Sequence, residues 1–113
     1  MAAGDVDIQG EVLLQGSLRL VWGTVILDGG NPTPVELSSV LAACQVGVAT
    51  LEGSVAPGDD PTVISAAASG TVLNVYAWKH TTGGAAGNPT LIASTDNARL
   101  VNWIAIGPKK AGV

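Results

Sequence analysis

Hydrophobic positions recur every second residue along much of this chain, most clearly between Thr71 and Gly107. In Thr71–Lys79, Thr71, Leu73, Val75 and Ala77 point one way, and Val72, Asn74, Tyr76 and Trp78 the other. In Ala98–Ile106, Val101, Trp103 and Ala105 oppose Leu100, Asn102, Ile104 and Ile106. A period of two, with β-branched and aromatic residues, predicts strands. A shorter run, Thr90–Ser94, and a Gly-rich tip, Thr81–Pro89, lie between them. The alternation is incomplete because both phases are largely apolar, whereas a sheet with one wet face places polar residues at every second position. The second face needs a cover. In so short a chain that cover is expected from another subunit.

The first half carries the same signal more weakly. In Val6–Leu14, Val6, Ile8 and Val12 are in phase, with Asp5, Asp7, Gln9 and Glu11 opposed, which fits an edge strand or an arm that orders against a partner. In Ser17–Leu27, Leu18, Leu20, Trp22 and Ile26 share a face interrupted by Thr24. Gly23 beside Trp22 marks a bulge or a close-lying backbone. Thr33–Gln45 is ambiguous. Thr33, Pro34 and Glu36 resemble a capping box, and Leu37, Val40, Leu41 and Cys44 fall at helical spacing. Yet Val35, Leu37, Ser39 and Leu41 would equally make one face of a strand, so a short helix near 34–44 and a strand followed by a turn are both expected. Gln45–Leu51 and Thr62–Ala68 read as further strands, and Ser54–Pro61 as a surface loop. Seven or eight short strands with regularly spaced turns predict an all-β fold, a single antiparallel β-sandwich of jelly-roll or immunoglobulin-like type. It spans 1–113, with a flexible arm over about 1–14 and a short basic tail at 108–113.

Composition sharpens the picture. The charged fraction, 12%, is about half the usual share. Small side chains replace phenylalanine, of which there is none. Mean hydropathy is +0.41, but no window approaches the ~18 uninterrupted apolar residues of a membrane helix. The N-terminus lacks the basic start and apolar core of a signal peptide, so a soluble protein made in the cytoplasm is expected. A net charge of −4 argues against nucleic acid as a partner. Residues 1–60 carry −7 and residues 61–113 carry +3. Either the subunit is dipolar and packs acidic side to basic side, or the halves interleave in the fold and the asymmetry vanishes.

Candidate chemistry is sparse. His80 is the single histidine and Cys44 the single cysteine. They could form a nucleophile pair only if something oriented the imidazole, and Cys44 lies among Ala42, Ala43 and Val46 as a small buried hydrophobe would. Asp59 and Asp60 have no third ligand nearby, so no metal is expected, and the Gly pairs lack the Lys and helix of a phosphate loop. No catalytic residue, metal or cofactor is assigned. Among the aromatics, Trp22 and Trp103 are expected to fill the core. Tyr76 and Trp78, in phase with Asn74 and beside Lys79, suit a protein interface. Val6, Ile8, Asn74, Tyr76, Trp78 and Lys79 are therefore the candidate partner contacts.

At Val75–Lys79 (VYAWK), Thr90–Thr95 (TLIAST), Val101–Gly107 (VNWIAIG) and Asn31–Val35 (NPTPV) the chain resembles the capsid decoration, or cement, proteins of tailed bacteriophages, including those of cyanobacteria. The resemblance implies a non-enzymatic virion protein that trimerises on the capsid exterior and clamps neighbouring major capsid protein subunits, with neither nucleic acid nor membrane as partner. The alternative expectation is a carbohydrate- or receptor-binding module of a phage tail or cell surface, with an exposed aromatic platform near Thr81–Pro89.

Overall fold

A computed structural model describes residues 2–52, 62–80, 91–95 and 97–112, with the side chains of Thr62 and His80 left undescribed. The predicted Ser54–Pro61 loop, with Asp59 and Asp60, and the Thr81–Pro89 tip lie outside the described residues. Within them the chain is all-β. Eight strands form: β1 (Val6–Leu13), β2 (Leu18–Ile26), β3 (Thr33–Glu36), β4 (Val46–Leu51), β5 (Thr62–Ser69), β6 (Val72–His80), β7 (Leu91–Ala93) and β8 (Leu100–Pro108). They build two antiparallel sheets. Sheet A has the order β1-β2-β8-β4, and sheet B the order β3-β6-β5 with β7 also on β6. β8 occupies the place beside β2 and β4 that the fifth strand takes in an immunoglobulin sandwich.

The two-residue period reads directly onto the layers. Val21, Val25, Val101, Trp103 and Ala105 of sheet A face Val35, Leu73, Val75 and Ala77 of sheet B, and all are buried. Leu27, Leu37 and Leu41, in the connections, close the ends of this core. β4 lies against β5 and shuts one side of the sandwich. Arg19 also points inward, where its guanidinium donates to the Val40 carbonyl (3.0 Å) and lies 3.8 Å from the Glu11 carboxylate.

Of the two expectations for Thr33–Gln45, the strand forms. Thr33–Glu36 pairs with β6, Val35 opposite Leu73, and no helix follows among the described residues. The capping-box partners are engaged elsewhere. The Thr33 hydroxyl donates to Asp28 Oδ1 (2.8 Å), while Glu36 Oε1 accepts from the Ser38 N–H and the Thr71 hydroxyl. A single turn at Leu37–Leu41 is all that remains of the helical pattern, and the chain then bridges to Lys109.

Of the two expectations for Val6–Leu14, the edge strand forms: Val6–Leu13 pairs with β2. It contains a register shift at Gln9, between Ile8 and Gly10. Such a bulge puts one extra residue on one strand and reverses the facing of everything beyond it. Val6 and Ile8 share the inward face with Val25 and Gly23, whereas Val12 joins the outward face opposite Leu20. The single phase read for Val6, Ile8 and Val12 is thus corrected.

Two strands share one edge of β6. β3 pairs with Val72–Val75 and β7 with Trp78–His80, leaving the backbone at Ala77 between them. The Asn31 side chain fills this gap, its Oδ1 accepting the Ala77 N–H (2.9 Å), and the Ser94 N–H donates to the Ala77 carbonyl (2.8 Å). A buried backbone amide left unpaired is costly, which accounts for an asparagine in this loop.

Candidate functional site

The outward face of sheet A is apolar where a solvated face would be polar. Cross-strand neighbours place Val12, Leu20, Ile106 and Val46 in one row spanning all four strands, and Gly10, Trp22, Ile104 and Val48 in the next. A third row, Asp7, Thr24, Asn102 and Thr50, is polar. Val12 is 48% exposed, Trp22 39%, Ile104 42%, and Val46 and Val48 56% each. With half-buried Leu20 and Ile106 these side chains leave on the order of 500 Å² of contiguous apolar surface in water, within the range of the largest patch on a typical monomer, which is often functional.

The local construction is specific. Trp22 lies over Gly10 of the edge strand, so that a Cβ at residue 10 would run into the indole ring. An aromatic covering a cross-strand glycine shields backbone that glycine leaves bare. Trp22 therefore stands outside the core, contrary to expectation, and Trp103 alone takes the interior position. The two indoles sit on adjacent rows and opposite faces of the same sheet.

The outward face of sheet B carries the sequence-predicted candidates. Asn74, Tyr76 and Trp78 are half-exposed and lie in register with Ala67, Ser65 and Val63 of β5. The Tyr76 and Trp78 rings run nearly parallel, 10° apart with centroids separated by 6.0 Å, and Trp78 Nε1 donates to Ser65 Oγ (2.9 Å). Lys79, also half-buried, sits in the opposite phase, in register with Ile92. Of the other two candidates, Ile8 packs against the core and Val6 is exposed at the sandwich margin. The structure thus brings Asn74, Tyr76 and Trp78 together and separates them from Val6, Ile8 and Lys79. Val12, Trp22, Val46, Val48 and Ile104 were not singled out from the sequence.

No cluster of three metal-ligating side chains occurs among the described residues, and no helix is long and apolar enough to cross a membrane. Cys44 is buried, its Sγ 3.7 Å from the Val46 carbonyl oxygen, and burial pushes its thiol above the ordinary range. A protonated, covered thiol is a poor nucleophile. Ellman's reagent should therefore react with the native protein at least tenfold more slowly than with the protein unfolded in urea, and equal rates would contradict the burial.

No protein-family model, curated protein or solved structure matches this chain.

Proposed function

We propose that the chain is a non-enzymatic virion structural protein of the capsid-decoration type, whose work is done by covering its outer sheet faces with neighbouring subunits. The observation that carries the reading is the pair of apolar rows on sheet A. In a chain with so few charges, a face of this kind is costly in water and gains by association. The resemblance at VYAWK, VNWIAIG and NPTPV supplies the setting, with the major capsid protein as partner and the capsid exterior as location. Burial of roughly 1,000 Å² at ~25 cal/mol per Å² offsets the cost of association. Repetition over a symmetric shell then makes many modest contacts collectively strong. The Asn74, Tyr76 and Trp78 face of sheet B points away from sheet A and is the surface assigned to the shell.

Co-sedimentation tests this with empty shells built from the major capsid protein of the genome that carries the chain. Saturable binding is expected, weakened at least tenfold by combined Tyr76→Ser and Trp78→Ser. A wild-type chain that stays in the supernatant would overturn the proposal.

The parallel Tyr76 and Trp78 rings favour a second reading, a carbohydrate- or receptor-binding module, because sugars stack on such rings. Glycan-array binding abolished by Trp78→Ala, in a chain that ignores shells, would select it.

A further inference from the structure

We propose that the outer face of sheet A is covered by the same face of a second copy, the two related by a twofold axis that lies in the interface and runs across the strands between the Leu20 and Trp22 rows. This rests on reading that face as an assembly surface, and it names the occupant.

Three observations lead there. The first is the match of area and charge. Within the two apolar rows no side chain is ionisable, so a second copy can lie on them without burying a charge, although each chain carries −4 overall. A face-to-face pair would remove about 1,000 Å² from water through these side chains alone, the lower bound of a specific interface. Two such sheets stack with their strands within ~30° of each other.

The second is the placement of charge at the two ends of the face. Within the polar row Asp7 stands beside Thr24, and just beyond it the Asp5 carbonyl accepts from the Ile26 N–H and the Glu52 N–H donates to the Leu100 carbonyl, which gathers three exposed carboxylates at one end. At the other end the Lys109 N–H donates to the Ser17 carbonyl, and Lys109 and Lys110 are both exposed. A twofold axis parallel to the strands would set acid on acid and lysine on lysine. An axis across the strands sets the lysines of each copy over the carboxylates of the other. These three carboxylates and two lysines lie at opposite ends of the face, and that separation favours the second arrangement.

The third is closure. The outer faces of sheets A and B lie on opposite sides of the sandwich. Packing A of one copy on B of the next gives an open stack, whereas A on A is self-complementary and closes at two. Two copies, rather than the three implied by the resemblance, complete this face, and sheet B stays outward on both.

Sedimentation velocity on the full chain tests the arrangement without any shell. The wild type is expected at twice 11.2 kDa at micromolar concentration. Ile104→Glu, or Val48→Lys should the first variant not fold, is expected to raise the dissociation constant at least about 100-fold while retaining the β-sheet circular dichroism, because each copy would bury a like charge against the other. Lys109→Glu with Lys110→Glu should weaken the dimer, and adding Asp7→Lys with Glu52→Lys should restore it. Trp78→Ala should leave the mass unchanged. A wild-type monomer at 100 µM (about 100-fold above a micromolar constant), a trimer, or a dimer indifferent to both Ile104→Glu and Val48→Lys overturns the proposal. Charge variants without effect overturn the orientation of the axis. A chain that dimerises but ignores shells refutes only the decoration role, and a monomer that binds shells refutes only this dimer.

Discussion

Trp103→Ala should cost about 3–5 kcal/mol, a large part of the 5–15 kcal/mol that holds a domain of this size together. The indole is 1% exposed and lies at the centre of sheet A, with Gly23 and Ala49 as its cross-strand neighbours. Both are small, so neither can expand into the space left behind, and most of the cavity persists. Trp22→Ser, one row away on the other face, should cost only about 1 kcal/mol, the packing over Gly10 and little more. Trp103→Phe should fall between them. It removes a ring but also a buried Nε1 donor that has no hydrogen-bond partner among the described residues, and losing an unpaired buried donor is favourable. Urea unfolding of the three variants in an Ile104→Glu background checks the order, since that background keeps subunit association from inflating the apparent stability. Equal losses at 22 and 103 would mean that both tryptophans are interior.

The two tryptophans also mark where the sequence could be read and where it could not. Phase within a strand was legible. Leu73, Val75 and Ala77 separate from Asn74, Tyr76 and Trp78 as the alternation requires, and Val101, Trp103 and Ala105 separate from Ile104 and Ile106 in the same way. That both phases were apolar was legible too. Which phase faces inward was harder, because in β2 the outward set, Leu20 and Trp22, is bulkier than the inward set, Val21 and Gly23. Size favours the core, but here the glycine belongs inside, where Trp103 fills the space beside it. Seeing this requires knowing that β8 lies next to β2, and strand order is a long-range property that no local window contains.

The extent of the apolar face was not legible for the same reason. Its members come from four strands, and which of their apolar phases lie side by side depends on strand order. The bulge at Gln9 hid one of them, Val12, by inverting the phase halfway along β1. Helical spacing at Leu37–Cys44 left a helix open as an alternative, but the capping pair is claimed by partners outside that segment, Asp28 for Thr33 and Thr71 for Glu36. Asn31 stood within a recognised loop, yet its role in completing the edge of β6 depends on two strands ending on either side of Ala77.

Gly23→Ala should destabilise the fold by about 3 kcal/mol or more, an unusually large effect for a single methyl group. The pattern marked this residue as a bulge or a close approach, and both occur there, the bulge on the facing strand. A Cβ at residue 23 would point inward, collide with the backbone carbonyl oxygen of Asp7, and lie 2.7 Å from Trp103 Cζ2. Neither obstacle is the loose end of a flexible side chain. Asp7 is held by its pairing within β1, and Trp103 is wedged in the core. The cheapest relief is for β1 to leave β2, which would expose Val25 and the core-packed Ile8 and remove Val12 and Gly10 from the outer rows. Amide exchange should therefore speed up first in Val6–Leu13 and only later in β8, and the dimer should weaken together with β1 pairing. A variant within 1 kcal/mol of wild type in urea (far inside the few kcal/mol a rigid clash demands), with β1 amides still protected, would show that the edge strand can shift to admit a methyl group. Gly23 would then carry no packing role.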